Sequence, residues 1–317
     1  MKQLKKKTWE RATDRDIKEV EKRLKNEYKK ASKELTAKFE KQMASFKVRD
    51  EEYLLKVKSG DMTQEAYMAW REKALLNNSR MNALINELAK DMSNVNQTAT
   101  AIINGKTANV FAECYNYQMY EIETGANILT AFGLYDKNTV ARLATVPTAK
   151  TKIAKDLMWN NRKIRSAITQ GILQGESIPK IAKRIKTVAR MNNSAAVRNA
   201  RTLITSAENS GRMEGLKYAE SIGIKTRKMW VATLDNRTRD SHAMLDGEIQ
   251  DIDVPFSNGL MFPCDMDATD PAEIYNCRCT MISVIDDSGV SANPEEVTRA
   301  SNMGDMSYED WKKEHES

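Results

Sequence analysis

The side chains best suited to chemistry lie close together near position 240. Asp235, Arg237, Arg239, His242 and Asp246 fall within twelve residues of one another. Such a cluster can orient the backbone through charge-assisted hydrogen bonds, and it can also build a catalytic or metal site. The residue types alone leave these interpretations open.

Three cysteines make zinc the first specific alternative. His242, Cys264, Cys277 and Cys279 could supply one nitrogen and three sulfur ligands to Zn²⁺. The spacing counts against a zinc site, because Cys-x-Cys is less usual than Cys-x₂-Cys and the interval from His242 to Cys264 matches no recognised pattern. The simpler interpretation is that Cys277 and Cys279 alternate along a strand and fix a loop to the core. We therefore predict no metal and no other cofactor.

Catalysis is the second alternative. His242 could act as a general base beside Asp235, Asp240 and Asp246, whose carboxylates could hold the metal ion of a nuclease. A histidine in such a cluster is more often a hydrogen-bond partner that orients its neighbours. We therefore predict no catalytic residues and no enzymatic activity, with a metal-dependent nuclease as the alternative.

Long helices precede this cluster. Apolar residues recur every three or four positions over residues 14–59, which marks one narrow face of a helix. Such a face must pack on a partner helix, either in a hairpin of the same chain or by self-association with a neighbouring subunit. Gly60 can end this helix and Thr63 can begin the next, which runs to about Asn104. A third helix is predicted to end near Phe132.

The second half of the chain begins with further helices and ends with short strands and loops. Isoleucines one turn apart precede Gly175, and Ser177 can cap a new helix up to about Arg190, followed by a helix at 194–221. After Gly223, short β-prone stretches at 228–234 and 281–285 flank loops rich in Asp, Gly and Pro. The sequence therefore predicts a mainly α protein with a small C-terminal α+β module.

Four segments are predicted along the chain, with a loose connection around 133–147. They are a long charged helical region at 1–145, a basic helical lead-in at 146–224, the α+β module at 225–287 and a short amphipathic tail at 288–317.

Charge is distributed unevenly over these segments. The chain has a net charge of +6, but residues 150–230 carry 18 basic and five acidic groups, whereas residues 231–317 carry six and 19. This pattern is typical of a polyanion contact, although the two segments could also neutralise each other or meet across subunits. The predicted DNA-binding residues lie on one helix face: Lys180, Lys183, Arg184, Lys186 and Arg190. Contacts from such a face would reach backbone phosphates without sequence specificity.

Composition favours a cytoplasmic site of synthesis. Four cysteines are too few for a disulfide scaffold in 317 residues, and no apolar run is long enough to span a membrane. The basic N-terminus is followed by a polar stretch rather than by the apolar core of a signal peptide. We therefore expect no membrane association.

The ordered block from 235 to 279 resembles the signature of Mu-F-like minor head proteins of tailed phages. It reads Asp-x-Arg-Thr-Arg-x-x-His-x-x-Leu-Asp-Gly, followed about thirty residues later by Asn-Cys-Arg-Cys. The residues of this motif are Asp235, Arg237, Thr238, Arg239, His242, Asp246, Gly247, Asn276, Cys277, Arg278 and Cys279. Upstream, residues 175–182, 200–202 and 209–212 resemble the helical lead-in of the same family. The resemblance covers roughly residues 150–285.

This resemblance implies a role in phage head morphogenesis. Proteins of this family are present in a few copies at the portal vertex of the virion, assist capsid assembly and contact packaged double-stranded DNA. The expected partners are the portal protein, capsid or scaffold proteins and DNA, with the host cytoplasm as the site of assembly. Some members are fused to toxin domains such as ADP-ribosyltransferases, and the roughly thirty residues after the module are too few for one.

Overall fold

The computed structural model describes residues 10–75, 79–135, 156–290, 297–299 and 303–316. These residues contain nine α-helices, five β-strands and a short 3₁₀ helix at Met303–Asp305. The helices are α1 Glu10–Gln42, α2 Ala44–Ser59, α3 Gln64–Leu75, α4 Ser79–Ala126, α5 Leu157–Leu173, α6 Ile178–Ser221, α7 Asp240–Met244, α8 Pro271–Ile274 and α9 Tyr308–His315. The strands are β1 Ile128–Thr130, β2 Ile224–Val231, β3 Ile249–Asp251, β4 Thr280–Val290 and β5 Val297–Arg299.

The predicted fold class is confirmed, since long helices dominate and the main sheet is small. Strand β2 lies between β3 and β4 in an antiparallel three-stranded sheet, with Trp230 opposite Met281. Strands β1 and β5 form a separate antiparallel pair. Among the described helices, none combines the length and apolar character that crossing a membrane requires.

The described residues fall into two compact units that are interleaved along the chain. Unit 1 takes the described parts of 1–20, 103–149 and 198–317, and unit 2 takes those of 21–102 and 150–197. Helices α1, α4 and α6 contribute residues to both units. The four consecutive segments predicted from the sequence stay a prediction, and part of the predicted connection at 133–147 lies outside the described residues.

The apolar face predicted for the first helix is confirmed, because Leu24 and Phe39 at its two ends in unit 2 are fully buried. A single helix over 14–59 is wrong, since Met43 separates α1 from α2 with φ −91° and ψ 2°. The next break is confirmed: Gly60 has a φ of 85°, and the Thr63 hydroxyl accepts the Ala66 N–H at 3.2 Å. Local capping chemistry therefore set this boundary.

Two further predicted breaks are wrong. Helix α4 continues through Asn104 and Gly105, and helix α6 is one helix of 44 residues instead of two. Glycine costs about 1 kcal/mol in a helix, but burial of Ile103 and Phe111 on either side outweighs that cost. In α6, the buried Asn192 donates to the Val188 carbonyl at 3.0 Å, so its amide supports the helix instead of ending it.

Unit 2 contains a chain of buried hydrogen bonds between side chains of four helices. Tyr28 of α1 donates to Asn96 of α4 at 2.7 Å, Asn96 donates to Asn192 of α6 at 2.9 Å, and Asn192 donates to Asn160 of α5 at 3.0 Å. All four residues are nearly or fully buried. Because buried amides are costly without partners, this network fixes the helices in one register.

Helix α9 lies within the predicted C-terminal tail, part of which lies outside the described residues. Trp311 is fully buried in unit 1, where its ring stacks on Phe132 and its indole N–H donates to Glu123 at 2.5 Å. The third helix predicted to reach Phe132 instead ends at Ala126, because Asn127 adopts a φ of 53° and leads into β1.

Candidate functional site

A bidentate ion pair joins the two ends of the predicted motif. Both terminal nitrogens of Arg278 donate to the carboxylate of Asp235 at 2.6 Å. The pKa of Asp235 is held well below its usual range, mainly by the Arg278 guanidinium and to a smaller extent by the Arg237 backbone N–H. Because both partners are about one-third exposed, water screens the pair. Its main effect is to fix the loop geometry.

A tight turn places the end of the first half of the motif against strand β2. Asp246 accepts the backbone N–H of Ala232 at 2.8 Å, and the N–H of Gly247 donates to the Trp230 carbonyl at 2.9 Å. Gly247 has a φ of 83°, a conformation that favours glycine. The Asp-Gly pair of the motif therefore serves to shape the backbone of this turn.

Thr238 and Arg239 hold the segment that leads into helix α7. The Thr238 hydroxyl donates to the Thr233 carbonyl, and the Arg239 guanidinium donates to the Tyr275 carbonyl. Arg239 thereby connects the first half of the motif to the residue that precedes Asn276. Arg237 is largely exposed, and its side chain lies 3.7 Å from the Asp235 carboxylate.

Helix α6 holds the second half of the motif in place. The backbone N–H of Asn276 donates to the Thr202 hydroxyl at 3.1 Å. The amide of Asn209 donates to the Cys279 carbonyl at 3.2 Å and accepts the Met281 N–H at 3.0 Å. The Asn-Cys-Arg-Cys segment is thus bound through its backbone to a buried face of the helix.

His242 lies between two cysteines on one side and a carboxylate on the other. Its Nδ1 is 3.5 Å from the sulfurs of both Cys277 and Cys279, and its Nε2 is 2.9 Å from Glu273. Burial opposes ionisation of Glu273, but hydrogen bonds from Asn258 and Ser241 and the neighbouring imidazole lower its pKa. The group of His242, Cys277 and Cys279 could hold a metal ion.

The strand predicted to carry the two cysteines begins after them, at Thr280. Cys277 and Cys279 lie in the preceding loop, and both are nearly completely buried. Hydrogen bonding to a neighbouring thiol raises the pKa of each, and burial adds to the increase. The fourth cysteine, Cys114, is fully buried in α4.

The carboxylates that a nuclease would use have other positions. Asp235 pairs with Arg278 and Asp246 accepts a backbone N–H, while Asp240 is exposed at the start of α7. Within the described residues, the carboxylate in contact with His242 is that of Glu273. This arrangement lacks the cluster of a histidine base with three aspartates that the nuclease alternative requires.

A basic groove lies between helices α1 and α6 in unit 2. Its volume is about 680 Å³, and Tyr28 of the buried amide network lies at its wall. No acidic side chain lines it among the described residues. The basic residues that line it are Lys25, Lys29, Lys33, Lys183, Lys186 and Arg190.

Three of the five predicted DNA-binding residues, Lys183, Lys186 and Arg190, line this groove. Lys180 is exposed near the start of α6, away from the lining. Arg184 is turned towards the loop before α6, where it donates to both oxygens of Glu176 at 2.6 and 3.0 Å. The five predicted DNA-binding residues therefore form two groups, three that line the groove and two that do not.

Comparison with known families identifies the part of the chain that holds the motif. Residues 162–282 match the family described as Phage Mu protein F like protein. This region is a Mu F-like domain. It includes the whole motif together with the α6 side of the basic groove, whereas Lys25, Lys29 and Lys33 lie outside it.

Three curated relatives are similar to parts of this chain. Minor head protein GP7 of Bacillus phage SPP1 is 29% identical over 219 residues, covering 63% of this chain and 69% of GP7. NAD(+)--arginine ADP-ribosyltransferase EFV of Enterococcus faecalis is 28% identical over 215 residues, covering 66% of this chain and 44% of the relative. An uncharacterized protein of Haemophilus influenzae is 32% identical over 126 residues, covering 40% of this chain and 25% of the relative.

The chain thus spans less than half the length of two of these relatives and about two thirds of GP7. No solved structure matches it. Residues 162–282 are thus similar to the Mu F-like family, and a larger part of the chain is similar to a phage minor head protein.

Several residues of these sites are absent from the sequence predictions. Glu273 lies far from His242 in the sequence, so spacing could not reveal it. Asn209 was named only as part of the lead-in at 209–212, without its contacts. Lys25, Lys29 and Lys33 follow one another at intervals of four, which places them on one face of α1. This regular spacing could have indicated the three lysines from the sequence.

A buried lysine supports the central strand of the Mu F-like domain. Lys228 donates to the carbonyls of Ile252 at 2.9 Å and Met261 at 2.8 Å, and its ammonium lies 5.1 Å from the Phe256 ring centroid. Desolvation lowers the pKa of Lys228 to about 8. The folded protein therefore holds this proton less tightly than the unfolded chain does.

We expect Lys228→Met to change how stability depends on pH. Between about pH 8 and the model-peptide value of 10.5, the unfolded wild type binds more protons, so the Lys228 contribution to stability rises with pH. Wild type should gain stability relative to Lys228→Met across this window, by at most about 1.4 kcal/mol per pH unit. Urea unfolding at both ends of the window measures the difference. The exposed Lys225 of the same strand gives the control Lys225→Met, and an equal slope in both variants would contradict the prediction.

Proposed function

We propose that this protein is a phage minor head protein that assists capsid assembly at the portal vertex and binds packaged double-stranded DNA without sequence specificity. The basic groove is the observation that carries the DNA contact. The Mu F-like domain and the similarity to a minor head protein support the assembly role. Portal, capsid and scaffold proteins are the proposed partners.

The groove combines two rows of positive charge. Lys25, Lys29 and Lys33 are exposed on α1 along about 12 Å of helix. Lys183, Lys186 and Arg190 are exposed on the facing side of α6. Since B-DNA carries one phosphate per roughly 1.7 Å of its axis, a row of this length faces several phosphates. The side chains present charge without a fixed base-reading geometry, so the contact would be insensitive to sequence.

The buried amide network gives this surface its rigidity. Tyr28 lies between Lys25 and Lys29 on α1, and Asn192 follows Arg190 on α6. Asn96 connects the two through hydrogen bonds of 2.7 and 2.9 Å. The two basic rows are therefore held at a fixed separation before DNA arrives, which reduces the entropic cost of binding.

We propose a non-enzymatic role. The ADP-ribosyltransferase name belongs to a relative of which this chain covers 44%. In this chain, the titratable side chains of the motif are engaged with backbone groups and with one another. If the wild-type protein cleaved plasmid DNA and the His242→Ala variant did not, the result would support the nuclease alternative.

Salt-dependent DNA binding tests the groove. We expect Lys29→Gln/Lys33→Gln/Lys186→Gln/Arg190→Gln to weaken binding of duplex DNA at least tenfold at low salt. The slope of log affinity against log salt should also fall in magnitude by about three to four, since each lost phosphate contact removes close to one. Fluorescence anisotropy with duplexes of unrelated sequence gives both values.

An equal change of charge elsewhere is the matched control. Lys41, Lys47, Lys58 and Lys73 are exposed in unit 2 and lie outside the groove lining. Their replacement by glutamine should leave most of the affinity intact. Equal losses in the two quadruple variants, or no binding by wild type at low salt, would contradict the groove as the DNA site.

Co-purification tests the assembly role separately. Tagged protein produced together with the head proteins of its phage should retain portal or capsid protein through size-exclusion chromatography. Folded protein that retains neither would contradict the assembly role, whatever its affinity for DNA.

A further inference from the structure

Three metal-binding atoms meet in the interior of the Mu F-like domain. The Nδ1 of His242 is 3.5 Å from each sulfur of Cys277 and Cys279, and all three atoms lie within 4.8 Å of one another. Zinc binds nitrogen at about 2.0 Å and sulfur at about 2.3 Å, which separates N and S by about 3.6 Å in a tetrahedral site. The two observed distances between nitrogen and sulfur therefore match those of a tetrahedral zinc site.

Glu273 fixes the histidine in the form that a metal requires. It lies 2.9 Å from Nε2, and Ser241 and Asn258 hold the carboxylate with hydrogen bonds of 3.0 and 3.2 Å. A carboxylate beside one imidazole nitrogen favours the tautomer with its proton on that nitrogen, which leaves the other nitrogen able to bind a metal. In His242 the other nitrogen is Nδ1, the atom beside both sulfurs.

Thiol packing alone explains this arrangement poorly. Only one S–H can donate to the Nδ1 lone pair at a time, yet Cys277 and Cys279 are equally close to it. The Cys277 sulfur also accepts the Cys279 N–H at 3.4 Å. Backbone N–H groups that point at sulfur are typical of cysteines that bind metals as thiolates.

Cys264 is the remaining cysteine of this region and the candidate for a fourth ligand, although its sulfur lies outside the group of three atoms within 4.8 Å of one another. It is fully buried, its sulfur lies 3.3 Å from the Ile274 carbonyl and 3.7 Å from the Cys277 carbonyl, and its thiol contacts that of Cys277. The backbone at Cys264 has a φ of 61°, which is unusual for a residue other than glycine. This conformation turns the cysteine inward.

We propose that His242, Cys277 and Cys279, with Cys264 in the fourth position, bind one structural Zn²⁺ ion. One nitrogen and three sulfurs favour zinc over magnesium or calcium, which prefer oxygen. Four protein ligands close the coordination sphere, so the ion would hold the α7 and Asn-Cys-Arg-Cys loops together and would not activate water. This inference is independent of the proposed DNA contact and differs from the sequence-based expectation that no metal is bound.

Elemental analysis of the full chain tests the site. Wild type produced with added zinc and purified under reducing conditions should hold about one zinc per chain. Cys277→Ser and His242→Ala should lose it, whereas Cys114→Ser, which removes a buried cysteine in α4, should keep it. Equal loss in Cys114→Ser would overturn the proposal.

Two further measurements remain decisive if the ligand variants fail to fold. Cobalt should bind folded wild type with the intense visible and near-ultraviolet absorption of tetrahedral thiolate coordination, and absence of both zinc and cobalt would overturn the site. Glu273→Ala should fold and weaken zinc binding by about 10- to 100-fold, since it leaves the ligands present but frees the ring. Unchanged zinc affinity in Cys264→Ser would overturn the fourth position.

Discussion

Gly211→Ala should destabilise the protein by about 1–2 kcal/mol. A Cβ at Gly211 in α6 would lie 2.5 Å from the carbonyl oxygen of Phe111 in α4 and 3.2 Å from the Cβ of Cys114. The obstacle is backbone, so a change of rotamer cannot relieve it and the two helices must separate. Overpacking of this kind costs about 1–3 kcal/mol or more, and alanine regains only about 1 kcal/mol of helix propensity.

A second glycine provides a control of opposite sign. Gly105 also lies inside a long helix of unit 1, but a Cβ there has no atom within 4 Å. Gly105→Ala should therefore stabilise the protein by about 0.5–1 kcal/mol through helix propensity alone. Urea unfolding of both variants measures the two values. A Gly211→Ala variant as stable as wild type would show that α4 and α6 do not approach as closely as described.

Asn209→Leu should cost about 3 kcal/mol or more. The Asn209 side chain is fully buried and satisfies the Cys279 carbonyl and the Met281 N–H, both at the start of β4. Leucine has a similar size but can neither donate nor accept a hydrogen bond. Each buried backbone group left without a partner costs about 1–3 kcal/mol. The amide of Met281 should also exchange with solvent much faster than in wild type.

Thr202→Val is the matched control for Asn209→Leu. It removes the hydroxyl that accepts the Asn276 N–H at 3.1 Å but keeps the shape of the side chain. Because Asn276 is exposed, water can replace the lost partner, and the cost should be about 1 kcal/mol or less. Equal effects of the two substitutions would mean that α6 does not hold the Asn-Cys-Arg-Cys segment mainly through Asn209.

The contacts of Asn209 and Gly211 indicate what residues 209–212 of the lead-in, which resemble the Mu F-like family, do in the structure. Asn209 binds the motif segment, and Gly211 permits close approach of α4. Arg212, which follows, forms a buried ion pair with Glu121 of α4 at 3.2 Å. One turn of α6 therefore connects the sheet on one side with a neighbouring helix on the other. The lead-in supports the motif structurally.

The sequence was sufficient wherever the deciding interaction is local. The apolar repeat of α1, the αL glycine at position 60 and the Asp-Gly turn at 246–247 depend on residues within a few positions of one another. The motif was also visible, since its order and spacing identified residues 235–279 as one functional block. The β-prone stretch at 281–285 lies in β4, but Cys277 and Cys279 precede this strand, because pairing with β2 begins at Thr280.

Tertiary structure decided the features that depend on residues distant in the sequence. Burial on both sides of Gly105 kept α4 continuous against its local preference. Packing of α1 beside α6 joined Lys25, Lys29 and Lys33 to basic residues about 150 positions away, while an ion pair with Glu176 turned Arg184 elsewhere. Folding also set His242 between two cysteines and Glu273. Local propensity fixes helices and turns, whereas contacts between distant segments form only when the core is buried, and both candidate sites are built from such contacts.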